Sequence, residues 1–161
     1  MRDIIFCSVD VVAALPDKHS TALISILDAS EEYSRPDVCV FADALVLQFQ
    51  DVSEESKKCF EDFGDHPDSQ TTAKYTDGPA ETLFNAAHAK TIIEFFDKCR
   101  GNSQVQTLAV HCYAGLSRSA AVAQFLSDTF GVDLDSCKGT AGANPRVLRV
   151  LKRTYCSMIA K

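Results

Sequence analysis

Apolar positions fall into short runs separated by polar turns, and the runs change period along the chain. Ile4, Phe6 and Val9 mark a first strand, and 11–15 reads as a short helical piece closed by Pro16. Residues 22–27, ALISIL, form a short apolar run of the kind found in a buried strand. The runs 38–41 and 44–49 predict one or two further strands. A polar stretch follows over 51–78, with a short helix expected around 54–63 and a loop for the rest. A helix is then predicted over 79–99, with Pro79 in its first turn and Gly101 at its end. Its apolar face comprises Leu83, Phe84, Ala87, Ile92, Phe95, Phe96 and Cys99. Residues 105–110 predict a strand, 117–130 a helix stopped by Gly131, and 145–159 a last helix. In the last helix Val147, Leu148, Leu151, Tyr155 and Ile159 are expected to point inward. Strands alternating with helices indicate an α/β fold. The expected architecture is one domain over 1–161, with a largely parallel central sheet of about four to five strands flanked by helices.

Composition narrows the picture only modestly. The 161 residues are 46% hydrophobic and 24% charged, ordinary values for a globular domain that buries its own core. No stretch is long and apolar enough to cross a membrane, and the first residues alternate as a strand does, so no leader is read there. The net charge of −6 argues against nucleic acid or an anionic membrane as partner. A small anion remains a possible ligand, because a local cradle of amides outweighs global charge. The seven cysteines match no zinc spacing and include no CxxC pair. A reduced, cytoplasmic protein with one special thiol is expected, and a monomer.

The special thiol stands in VHCYAGLSRSA, residues 110–120, where a predicted strand turns through a glycine into a helix. Such a loop aims successive backbone N–H groups into one concavity, to which the helix adds the positive end of its dipole. The amides of Tyr113, Ala114, Gly115, Leu116 and Ser117 are thus candidate binders of a tetrahedral oxyanion. Gly115 permits the backbone to close. Arg118, six residues after Cys112, can grip two phosphate oxygens at once. The same field favours Cys112 as a thiolate nucleophile. His111 is positioned to orient the loop, and the Ser119 hydroxyl to reach the sulfur. The bland alternative, a buried cysteine beside an unrelated surface arginine, requires His, Cys, Gly, Arg and Ser to share these positions by chance, about once in ten million starts.

HCYAGLSRSA resembles the HCxxGxxR(S/T) signature loop of the cysteine-based protein tyrosine phosphatases, and is similar above all to their dual-specificity branch. The resemblance implies a phosphatase fold, a Cys112 nucleophile, a phosphate loop from Cys112 to Arg118, supporting roles for His111 and Ser119, and neither metal nor cofactor. The strong match covers about eleven residues; a weaker one in element order runs from Val38 to the C-terminus and includes Asn144-Pro145. The family also supplies an aspartic acid from a loop that follows a strand upstream of the cysteine.

Asp51 is favoured as that general acid, because it ends the apolar pattern ALVLQFQD at the edge where open α/β sheets bind ligands. It precedes Cys112 by 61 residues, about twice the family's usual spacing, which makes 53–78 an insertion. Asp77, 35 residues before Cys112, is the alternative, although it can equally cap a helix; Asp62, Asp65 and Asp68 are weaker candidates. The expected substrate is a phosphorylated protein or small phosphate monoester. Residues 113–117 hold no lysine or second arginine, which favours phosphoprotein, with phosphotyrosine expected first and phosphoserine and phosphothreonine as further candidates. The rival readings are a catalytically weak phosphate-binding module and a different thiol enzyme such as a sulfurtransferase. Arg146, Arg149 and Arg153 share one face of the last helix, read as a solvated face rather than a docking rim. His19, His66 and His88 carry no metal-site pattern. The remaining cysteines read as structural, although any one is a conceivable oxidation partner of Cys112.

Overall fold

The structure is a computed structural model that describes residues 1–53, 83–135 and 139–160. Its five strands are β1 (Asp3–Cys7), β2 (Thr21–Leu27), β3 (Asp43–Gln48), β4 (Thr107–His111) and β5 (Asp133–Leu134). They form one sheet in the order β3-β2-β4-β1-β5. Every pairing in it is parallel. Among the described residues the α-helices are α1 (Val9–Ala13), α2 (Ala86–Arg100), α3 (Arg118–Phe130) and α4 (Pro145–Ile159). The α/β class and parallel sheet expected from the alternation of strands and helices are what the chain forms.

The period of two along each strand divides the core. Ile4, Phe6, Ala22, Ile24, Ile26, Leu108 and Val110 face the larger side, packed with residues of α2, α3 and α4. Cys7, Leu23 and Ala109 face the smaller side, closed by Val12 and Phe41. β2 lies between β3 and β4 and all seven of its residues are buried, which is why it reads as an apolar run interrupted only by Ser25 after Thr21. Among the described residues no helix is long and apolar enough to cross a membrane.

Several boundaries differ from the sequence reading. Residues 38–41 are not a strand: the Asp37 carboxylate accepts from the Cys39 N–H at 3.0 Å and winds Val38–Val40 into a 3₁₀ turn. The first helix starts two residues early, at Val9, where the Ser8 carbonyl accepts from the Val12 N–H. The expected helix over 79–99 does not run through Leu83 and Phe84. Asn85 caps it instead, accepting from the N–H groups of Ala87 and His88 at 2.9 and 3.2 Å, while His88 Nδ1 accepts from the Asn85 N–H. Ala87 is exposed, not on the apolar face. Ile159 is 65% exposed, because α4 outruns the core. Arg146 is buried and its Nε donates to the Phe84 carbonyl, so the arginine face of α4 is not solvated throughout. The two-residue β5 is too short to announce itself by period. The expected helix at 54–63, the loop to 78 and the start at Pro79 lie outside the described residues, as do Asp62, Asp65, Asp68, Asp77, His66, Cys59 and Cys137.

Candidate active site

The carboxyl ends of β2, β3 and β4 meet at one edge of the sheet, and the 111–119 segment crosses it. β4 ends at His111, residues 113–117 bend, and α3 begins at Arg118. Two local features shape the bend. Gly115 has φ +69°, and a Cβ placed there would stand 2.3 Å from the Cys7 carbonyl carbon and the Ser8 nitrogen. Only glycine allows both that dihedral and that approach of backbone to backbone. The Tyr113 carbonyl in turn accepts from the Val9 N–H at 3.2 Å, tying the loop to the start of α1. Among the described residues no backbone N–H from Tyr113 to Arg118 goes to another backbone carbonyl, so these amides remain available to a ligand at the head of α3.

Cys112 lies at the base of this bend, 2% exposed, with its Sγ 3.2 Å from Ser119 Oγ. Arg118 is 3% exposed and held from two sides. Its Nη1 donates to the Phe49 carbonyl at 3.0 Å, and its Nη2 to Glu31 Oε2 at 2.7 Å. Its Nε has no hydrogen-bond partner among the described residues and lies 4.0 Å from Asp51 Oδ2. A buried guanidinium with one donor unsatisfied is costly unless an acceptor arrives. Glu31 is itself steadied: the Asp28 N–H donates to its Oε2 at 3.0 Å, and Asp28 Oδ1 accepts from the Ser30 and Glu31 N–H groups.

Asp51, on the chain just past β3, reaches the same edge. Its Oδ1 accepts from Ser117 Oγ at 2.7 Å and from Asn144 Nδ2 at 2.8 Å. Asn144 is 2% exposed and also caps α4, its Oδ1 accepting from the Val147 N–H at 3.1 Å. One residue therefore couples the carboxylate to the last helix.

Behind the loop, Ser25 and His111 are register partners on β2 and β4, and Ser25 Oγ lies 2.6 Å from His111 Nε2. His111 Nδ1 faces the Cys112 carbonyl at 3.4 Å. Burial, with the nearby Arg35 and Arg118 cations adding to it, lowers His111 to about 4, so the ring is neutral at physiological pH. Burial also lowers His88.

The structure thus gathers His111, Cys112, Tyr113, Ala114, Gly115, Leu116, Ser117, Arg118, Ser119 and Asp51 at one sheet edge. Glu31 and Ser25 were not singled out from sequence. Ser25 had a readable signal, a lone hydroxyl inside ALISIL that must find a partner once buried. Glu31 had none, being one acid among several in a polar turn. Among the described residues no three His, Cys, Asp or Glu side chains cluster in a way that could hold a metal ion. Cys99 is pushed up to about 11 by burial, the state of an inert core thiol, whereas Cys39 and Cys156 are exposed.

No protein-family model matches the sequence, and no curated protein matches it. Solved structures do resemble the fold. One is the human tyrosine phosphatase-like serine/threonine/tyrosine-interacting protein, 18% identical, with 89% of this chain and 80% of that one covered at a TM-score of 0.50. Another is PTPMT1, 14% identical, with 98% and 92% covered at a TM-score of 0.53. Together with the parallel sheet and the HCYAGLSRS loop at its carboxyl edge, these likenesses establish the fold of this chain as that of the cysteine-based protein tyrosine phosphatases.

Proposed function

We propose that the protein is a phosphatase that hydrolyses phosphate monoesters, phosphotyrosine in proteins included, through a phosphocysteine at Cys112. The observation that carries this reading is the buried Arg118, whose Nε, without a hydrogen-bond partner among the described residues, shares one edge with the Cys112 thiol and the Asp51 carboxylate. The reaction has two steps. The phosphate settles on the amides of 113–118 and on Arg118, and Cys112 Sγ attacks phosphorus in line. The ester P–O bond breaks, and Asp51 gives a proton to the departing oxygen. Oδ1 already accepts two hydrogen bonds, which leaves Oδ2 as the oxygen to carry that proton. Water then attacks the phosphocysteine and gives Asp51 a proton. The S–P bond breaks, and the returning thiolate accepts from Ser119 Oγ, 3.2 Å away. Amides fixed before the reaction hold the equatorial charge throughout.

The rim supports an aryl ester. Tyr113 and Leu116 are 43% and 48% exposed beside the loop. Tyr33 hydrogen-bonds the Tyr113 hydroxyl, which raises that phenol above its ordinary value. No lysine or second arginine among 113–117 adds charge for a polyphosphate. The reading is tested by hydrolysis of p-nitrophenyl phosphate in chelator, comparing wild type with Cys112→Ser. Turnover in wild type that vanishes in the variant is expected. No wild-type turnover, with a phosphopeptide bound, makes the protein a phosphate-binding module instead.

A further inference from the structure

The hydrogen bonds behind the loop continue outward beyond His111. Arg35 Nη1 donates to Ser25 Oγ, the same oxygen that meets His111 Nε2. Arg35 is in turn held by Glu32, its Nε donating to Oε1 at 2.7 Å and its Nη2 to Oε2. The Arg35 side chain is 10% exposed, so its contact with Ser25 is sheltered from water, whereas its Glu32 partner is 48% exposed. The protons follow. The hydroxyl oxygen of Ser25 accepts from the arginine, and its own proton has His111 Nε2 as its near partner. That nitrogen then accepts, which leaves the ring proton on Nδ1. Nδ1–H is the nitrogen facing the Cys112 carbonyl. The opposite tautomer would set an Nδ1 lone pair against that carbonyl.

We propose that Arg35, acting through the Ser25 hydroxyl, selects the Nδ1–H tautomer of His111 and thereby holds the Cys112 carbonyl on the imidazole. Ser25 and Arg35 are positioning residues, since neither touches the reacting atoms. A charged donor on Ser25 polarises its hydroxyl and strengthens the next bond in the series. The register of β2 on β4 places Ser25 and His111 as partners, so the inner half of the relay rests on the sheet, while Arg35 reaches it from the turn after β2. Its effect on turnover rests on the phosphatase reading above; the tautomer itself does not.

The test is the ¹⁵N spectrum of the His111 ring, read at pH 7 in wild type, Ser25→Ala, Ser25→Thr and Arg35→Met. Wild type is expected as the neutral Nδ1–H form. Ser25→Ala moves it toward Nε2–H, Ser25→Thr retains it, and Arg35→Met, which lies outside the sheet, shifts it partway if Ser25→Ala does not fold. The kcat for p-nitrophenyl phosphate should fall about tenfold in Ser25→Ala and recover in Ser25→Thr, as expected of a slightly displaced nucleophile. A wild-type Nε2–H ring overturns the proposal, and so does an unchanged tautomer in Arg35→Met or in a folded Ser25→Ala. Absence of wild-type turnover would remove the phosphatase reading while leaving the tautomer result to decide this one.

Discussion

Gly115 and Gly131 form a matched pair on which the site's backbone can be tested. Both have a left-handed φ, +69° and +66°. A Cβ at Gly131, past the end of α3, meets nothing within 4 Å, whereas one at Gly115 would stand 2.3 Å from the Cys7 carbonyl carbon and the Ser8 nitrogen. The dihedral alone costs an L-residue about 1–2 kcal/mol. Gly131→Ala should therefore lose about that much in urea unfolding and keep its activity. Gly115→Ala carries the same cost plus about 1–3 kcal/mol of overpacking, since rigid backbone and not a flexible side chain must yield. The strand-to-α1 junction and the phosphate loop are then pushed apart. A displacement near 1 Å at the nucleophile lowers kcat/KM by about a hundredfold. The assay is urea unfolding beside p-nitrophenyl phosphate kinetics on both variants. Equal destabilisation of the two, with activity in Gly115→Ala within twofold of wild type, would refute the claim that this close approach shapes the site.

Asp51→Asn should slow hydrolysis of an alkyl phosphate far more than that of p-nitrophenyl phosphate, whose leaving group needs little protonation. Equal losses on the two substrates would remove Asp51 as general acid. Stability should also fall as the medium turns mildly acidic. His111 is held near 4 in the fold against 6.5 when exposed. Between those values the unfolded chain binds a proton that the folded one does not, so the contribution is complete above 6.5 and is lost toward 4. From pH 7 to pH 5 this amounts to about 2 kcal/mol, a drop of about 1 M in the urea midpoint. Burial of His88 acts in the same direction. An unchanged midpoint in wild type, or the same decline in His111→Asn, would contradict the assignment.

The fold and the loop were legible for different reasons. ALISIL, but for Ser25, and the LAV of VQTLAV are apolar because β2 and β4 lie inside the sheet, and Pro145–Ile159 begins where Asn-Pro says it should. The phosphate loop is local, so its residues carry their spacing in the sequence. Elements set by side chains reaching across turns were harder to read. The 3₁₀ turn at Val38–Val40 depends on one Asp37 contact, and the start of α2 on a reciprocal Asn85–His88 cap. The partners of Arg118 were hidden most completely. Glu31 comes from the turn after β2 and the Phe49 carbonyl from just past β3, and both meet it only once the sheet has assembled.

The central claim concerns a covalent bond to one sulfur, and rapid acid quench followed by mass mapping addresses it directly. Wild-type protein turning over p-nitrophenyl phosphate in chelator should carry one phosphoryl group on the peptide containing Cys112, and Cys112→Ser none. Turnover at full rate with that peptide unmodified, or with the phosphoryl group on another residue, would contradict the account.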